Sequence, residues 1–340
     1  MRRAGVTDVD FDGALSKSVR GSVGFESAWS LFSGASRTER TLELFSAASK
    51  LRDQNLDRKL ILTAHVHMIT SCELSTSCLY CSLSSSYQKV SDERSTLTEK
   101  ELIRGVKYAV DRGVQSIVLV GGTDLSGSDS SVRKAVRIVR RVTDLDLAID
   151  VGPSLSERTV KWLKDMSVST IYCSIETTNR KAFAEAKPSD SLNARVAFME
   201  MLEREGLNLG SVVMNGLGST ADLLKSILYL RRFRNLSHLY ISTFRPVRGT
   251  PWASKHPASV QVSLKALAIS RFAFPKAHIG LAEVEVEDPG SAARTSSQLL
   301  AGGGNSLAGL LIYKKKRIDN IVAINREAAM LGFRTKKPSD

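Results

Sequence analysis

Eight strand-like apolar runs alternate with amphipathic helix-like runs along this 340-residue chain, and no other regularity constrains its fold as tightly. The first is KLILTAHVHMIT. Then come TEKELIRGVKYAVDRG with QSIVLVGG, SVRKAVRIVRRV with LDLAIDVG, and SERTVKWLKDM with STIYCSIE. The second half continues with SLNARVAFMEMLERE and LGSVVMNG, TADLLKSILYLRRF and LSHLYIST, SLKALAISRFAF and AHIGLAEVE, then SAARTSSQLLAGGG and SLAGLLIY, before a closing helix RIDNIVAINREAAMLG. Such alternation demands parallel strands covered by helices, and eight units over roughly 270 residues fit a (β/α)8 barrel, typically ~250 residues long. An open doubly wound sheet is the competing architecture. The expected division is a helical extension over residues 1–57, with two helices under the barrel bottom, a barrel over 58–335 and a tail over 336–340.

Three of the four cysteines, Cys72, Cys78 and Cys81, follow the first strand in SCELSTSCLYCSLSSS. A structural zinc site wants a fourth ligand and commonly two CxxC-like knuckles, whereas only Cys78 and Cys81 have that spacing. His65 and His67 lie nearby, but their i, i+2 spacing on a strand makes them core or cavity-lining residues. An odd count and an N-terminus without an apolar leader segment argue against a disulfide. Three thiolates on a 4Fe–4S cluster leave one iron open to a small-molecule ligand, which is the reading the pattern favours. Cys173, on the opposite strand face from Glu176, is packing.

In a barrel the chemistry gathers at the C-terminal strand ends. The cysteine loop follows strand one, Gly121 and Gly122 follow strand two, Glu176 ends strand four and Met214 ends strand five. The glycine pair permits a close backbone approach. Strand parity puts Glu176 on one face with Tyr172 and Ser174, and an inward carboxylate there needs a partner.

CELSTSCLYC resembles the cluster loop of the radical S-adenosylmethionine (SAM) superfamily, usually C-x3-C-x2-C with an aromatic before the last cysteine, a place Tyr80 fills. The first gap here holds five residues. That spacing is similar to the radical SAM maturase of mono-iron hydrogenase, the HmdB family, a relative of biotin synthase, HydE and PylB. The N-terminal helices resemble those of the biotin synthase group. The resemblance implies a radical SAM enzyme with a 4Fe–4S cluster on Cys72, Cys78 and Cys81, and SAM bound through its amine and carboxylate to the open iron. Reductive cleavage then gives a 5′-deoxyadenosyl radical that abstracts hydrogen from substrate, in the HmdB case during biosynthesis of the iron-guanylylpyridinol cofactor. It also implies SAM contacts at Gly121, Gly122 and Thr123, with Asp124 standing in for the family's acidic residue, and at Ser174, Glu176, Arg195 and Met214. Without the resemblance, Arg195 reads as a solvated helix residue. Gly216 belongs to the same strand-five segment as Met214.

A net charge of +13 raises nucleic acid as a partner, but the basic residues are scattered on helical faces and aromatics are 6% of the chain, so a solvated surface is the better reading. The expected partners are a small, anionic substrate and a ferredoxin- or flavodoxin-type reductant. Arg245 and Arg248 in STFRPVRGTP would meet the anionic group, and Tyr313 would line the cavity. No apolar run approaches the ~20 residues of a membrane span, and a reducing, cytoplasmic setting is expected. A non-catalytic iron–sulfur scaffold, another radical SAM maturase or mutase, and an RNA-modifying enzyme are the alternatives.

Overall fold

The computed structural model describes residues 10–81, 95–282 and 291–334, with side chains in the last segment from residue 296 onward. Eight parallel strands curl into a barrel: β1 (Ile61–His67), β2 (Ser116–Val120), β3 (Asp146–Asp150), β4 (Val168–Tyr172), β5 (Asn208–Asn215), β6 (Leu236–Thr243), β7 (His278–Ala282) and β8 (Ser306–Ile312). The order is β7-β6-β5-β4-β3-β2-β1-β8-β9, where β9 (Arg317–Asp319) is a short strand antiparallel to β8. The architecture is thus the barrel expected from the alternation, with β9 an addition at the edge. Residues 283–285 of the seventh run and the tail 336–340 lie outside the described residues.

The helices follow the amphipathic runs. After α1 (Phe11–Val19), α2 (Phe25–Gly34) and α3 (Thr38–Leu56) come α4 (Glu99–Asp111), α5 (Asp129–Arg140), α6 (Glu157–Asp165), α7 (Arg180–Ala186), α8 (Leu192–Arg204), α9 (Thr220–Tyr229), α10 (Val260–Ala273), α11 (Ser291–Leu300) and α12 (Ile321–Met330). Their starts are written locally. Thr98 and Glu101 form a reciprocal capping box on α4, and Ser219 and Asp222 do the same on α9, each such cap being worth about 1 kcal/mol. Two helices escaped the sequence reading, α1 and the short α7. The closing helix also starts later than expected, because Arg317–Asp319 pairs with β8.

β2 is buried along its whole length, as a strand covered on both sides must be. The N-terminal helices pack on the outer layer, α2 against α9 and α10, and α3 against α10 and α11. Buried Arg52 of α3 donates to the carbonyl of Leu299 at 2.6 Å, tying that layer to the segment entering β8.

The barrel closes between β7 and β8 without a regular ladder. Asn305 replaces it. Its N–H donates to Ile279 O at 2.8 Å, its carbonyl accepts from Ile61 N–H at 2.8 Å, and its Oδ1 accepts from Ile279 N–H at 3.0 Å and from Arg271 at 2.9 Å. A Cβ on Gly280 would overlap the carbonyl oxygen of Ser306, so glycine lets the two strands meet.

Candidate active site

The cysteine loop is held against the end of β2 by backbone pairs: Ile69 N–H to Val120 O at 3.0 Å, Gly122 N–H to Thr70 O at 3.0 Å, and Glu73 N–H to Thr123 O at 3.0 Å. A Cβ on Gly122 would overlap the backbone N and Cα of Cys72, and one on Gly121 would overlap the Thr70 hydroxyl. The glycine pair therefore admits the cysteine loop itself. That differs from the expectation of a close approach by ligand alone, and it couples Gly122 directly to the placement of Cys72.

The five-residue gap has a physical anchor. Ser75 Oγ and the Thr76 N–H meet Ser189 Oγ at 2.9 and 3.0 Å, so the lengthened loop rests on the turn after α7. Further along, Leu79 N–H donates to Ala186 O at 2.9 Å and Leu79 O accepts from Trp252 N–H at 3.1 Å. All three thiols are half-buried, and Cys81 reaches the barrel cavity. Burial pushes the Cys78 thiol up to about 12, against the pull of Lys187, so without a metal it stays protonated at neutral pH. Among the described residues no three His, Cys, Asp or Glu side chains are grouped to hold a single metal ion. Zinc gathers its ligands around one ion, whereas a cubane takes each thiolate on a separate iron. Tyr80 lines the cavity beside Trp252, ring centroids 5.8 Å apart, and its buried hydroxyl has no partner among the described residues.

Behind the loop lies a buried charge network. Lys187 Nζ contacts Glu176 Oε1 at 2.7 Å and Asp190 Oδ2 at 3.2 Å, and Arg195 contacts Asp190 Oδ2 at 2.5 Å. Arg195 also donates to the Ser174 carbonyl at 2.8 Å and to Thr123 Oγ1 at 3.4 Å. It is 4% exposed, so it is not a solvated helix residue. Burial opposes the charges on Lys187 and Arg195, but the carboxylates outweigh it and both cations are held more firmly protonated. Burial likewise works to raise Asp190, yet Lys187 and Arg195 hold it down at about 2. Glu176 Oε2 is buried and unpartnered among the described residues.

Strand parity does not place Glu176. The β4 ladder stops at Tyr172, Glu176 takes a left-handed φ of 58°, and its backbone pairs with Val213 in an isolated bridge. Tyr172 faces the cavity, while Glu176 is turned toward Lys187. Cys173 is buried packing beside α8, with its thiol 3.6 Å from the Arg195 carbonyl.

The barrel interior holds a cavity of about 270 Å³ whose wall includes Cys81, Tyr80, Met214, Arg245 and Tyr313. Met214 thus lines the cavity from the end of β5. Gly216, with φ 108°, turns the chain just beyond it. Arg248 does not reach the cavity: it is exposed on the loop beyond β6. Nor does Asp124 substitute for an acidic contact. Its carboxylate accepts from Ser126 N–H at 2.9 Å and Ser126 Oγ at 2.6 Å, closing a local turn on a separate cleft. The side chain of Ser174 is outside the cavity wall, and its contribution is the carbonyl that holds Arg195.

Three acidic and basic residues escaped the sequence reading. Asp150 ends β3 inside the cavity wall, and burial pushes it up to about 6 despite Arg195 and Lys187. A carboxylate closing the apolar run LDLAID is the signal used for Glu176, and it marks Asp150 equally. Lys187 and Asp190 lie in a polar turn with no comparable signal.

The description "Radical SAM superfamily" matches residues 66–228. An uncharacterized protein of Methanocaldococcus jannaschii is 28% identical over 240 residues, 70% of this chain and 63% of that protein, so the chain spans under two thirds of its length. The biotin synthase of Thermodesulfovibrio yellowstonii is 24% identical over 234 residues, 68% of this chain and 73% of that one. The crystal structure of methylornithine synthase (PylB) shares the fold with a TM-score of 0.81 at 20% identity, covering 96% of this chain and 98% of that one. The superfamily works with a 4Fe–4S cluster and SAM, and the donor set fits both: three thiols on one loop, a glycine that fixes the first of them, and a buried carboxylate oxygen with no donor among the described residues. Over residues 66–228 the chain is thus similar to the radical SAM superfamily, and biotin synthase and HydE are among the proteins it resembles in sequence, PylB among those it resembles in fold.

Proposed function

We propose that the protein is a radical SAM enzyme that cleaves SAM reductively and uses the radical on a small molecule held in the barrel. The observation that carries this reading is that Cys81 and Met214 border one cavity, so the end of the cysteine loop opens into the barrel interior. Cys72, Cys78 and Cys81 would hold the cluster. When bound, cluster and SAM supply an electron and a sulfonium whose bond to C5′ breaks, giving methionine and a 5′-deoxyadenosyl radical. The protein's share is positioning and exclusion of water. Arg195 and Lys187 present positive charge to a carboxylate, and Glu176 Oε2 accepts from an ammonium or hydroxyl. Tyr80, Gly121, Gly122, Thr123, Ser174 and Met214 complete the SAM surroundings in this proposal, and Arg245 meets an anionic substrate group.

The finer reading is a role in making the iron-guanylylpyridinol cofactor of mono-iron hydrogenase, supported by the C-x5-C-x2-C spacing and by the anchoring of that longer gap on Ser189. A ferredoxin- or flavodoxin-type protein would supply the electron. The likeness to PylB along 96% of the chain favours, as a second reading, a related small-molecule reaction with another substrate. Anaerobic reconstitution followed by dithionite and SAM tests the core proposal. We expect 5′-deoxyadenosine and methionine, together with an EPR change when SAM is added to the reduced protein; a reconstituted protein that forms neither product refutes it.

A further inference from the structure

The cavity wall formed by β1 and β8 is chemically unlike the rest. His65 and His67, two residues apart on β1, both point inward, with ring centroids 6.1 Å apart. Three of their nitrogens, His65 Nε2 and both of His67, are buried without a hydrogen-bond partner among the described residues. Leaving a buried polar atom unsatisfied is costly, and native interiors seldom tolerate a group of them. Tyr313 stacks on His67 at 4.4 Å and 19°, which fixes that ring instead of leaving it to rotate in search of partners.

Among the described residues no third His, Cys, Asp or Glu joins the rings in a metal-holding group. Burial holds the two imidazoles at about 4 and about 3, so both are neutral near pH 7. A neutral imidazole offers one N–H and one lone pair, a match for hydroxyl, carbonyl or amide-like groups and a poor one for a full charge. The strand order places β1 and β8 across the barrel from β4 and β5, with Glu176 just beyond β4 and Met214 near the end of β5. Much of the remaining wall is apolar, including Val118, Val212 and Leu281. A volume of about 270 Å³, part of it beside Cys81 and Met214, favours a compact ligand over an extended one.

We propose that His65 and His67 are the substrate anchor, binding a compact, largely apolar molecule through two neighbouring uncharged polar atoms at the β1 wall of the cavity. This rests on the reading that the cavity is the substrate site. Its test needs no turnover. The reconstituted, SAM-bound protein, labelled with 15N-histidine, is titrated with resorcinol, fluorobenzene and benzoate; the chain's five histidines keep the spectrum readable. Resorcinol should bind about tenfold more tightly than either other ring and should shift the His65 and His67 nitrogens. The pair His65→Leu and His67→Leu should lower resorcinol affinity about tenfold while leaving fluorobenzene binding unchanged. If these variants do not fold, the ring-nitrogen shifts in the unaltered protein decide the matter alone. Equal binding of resorcinol and fluorobenzene, tightest binding of benzoate, or resorcinol binding without shifts at these two rings overturns the proposal. Measuring 5′-deoxyadenosine on the same samples separates the two ideas. Its absence with the resorcinol preference intact rejects the radical SAM reading alone, and its presence without that preference rejects the anchor alone.

Discussion

Lys187 Nζ lies 2.7 Å from Glu176 Oε1 with the lysine side chain 3% exposed, so a carboxylate just beyond β4 is held by a cation eleven residues later in a turn that follows α7. The same lysine touches Asp190, which in turn grips Arg195. Two positive and two negative groups share one dry volume, and each depends on the others for its charge.

Replacing Lys187 with Met should therefore cost about 3–5 kcal/mol of folding stability, because it strands Glu176 beside an overcharged Asp190. The double change K187M/E176Q should recover a large part of that loss. Urea unfolding of the three proteins checks this, and equal stability of the single variant and the parent would contradict it.

Gly122→Ala should act on the cluster. Its Cβ would overlap the Cys72 backbone, so the loop must move and Cys72 with it. We expect iron content and visible absorbance after reconstitution to fall to a small fraction of the parent level while the far-ultraviolet circular dichroism stays the same. Gly121→Ala, which meets chiefly the Thr70 side chain, should be milder.

Ser189→Ala removes the hydroxyl on which Ser75 and Thr76 rest. The contacts are exposed, so the stability change should be no more than about 1 kcal/mol. The loop should nevertheless be less ordered, and the bound cluster should lose iron to a chelator several-fold faster than in the parent.

Stability against pH carries the signature of the cavity. Asp150 sits at about 6 in the folded protein, above its ordinary value, so between pH 4 and 6 the folded state holds the proton that the unfolded chain has released, and stability falls as pH rises. His65 and His67 behave oppositely: at about 4 and 3 they stay neutral while the unfolded imidazoles charge below about 6.5, so stability rises with pH over that window. Asp150→Asn removes only the opposing slope. Unfolding free energies measured from pH 4 to 6.5 should thus climb more steeply in D150N than in the parent.

Much of the fold was legible because alternation of apolar runs is a local property. Each of the eight runs became a strand, as a segment buried on both faces has few other options. The cysteine trio, the glycine pair, Glu176 and Met214 were legible too, since the barrel topology alone sends every strand end to one rim. Arg195 needed the family resemblance, because nothing in a helix of mixed residues marks one arginine as buried.

Side-chain direction beyond the strands belonged to the tertiary structure. Parity fails once a residue such as Glu176 leaves the ladder with a left-handed φ, and two arginines three residues apart, Arg245 and Arg248, part ways when the loop turns one into the cavity and the other into solvent. Asp124 closes its own turn, and Lys187 gains its role only through a neighbour eleven positions away. The sequence by itself determined the eight-fold strand pattern, the count of three thiols on one loop and the rim at which they gather, all set by short-range periodicity and spacing. Which charges pair, why Gly122 must lack a side chain and which imidazoles face the cavity were decided by contacts between segments far apart in the chain, where burial makes each polar atom's energy depend on who lies opposite.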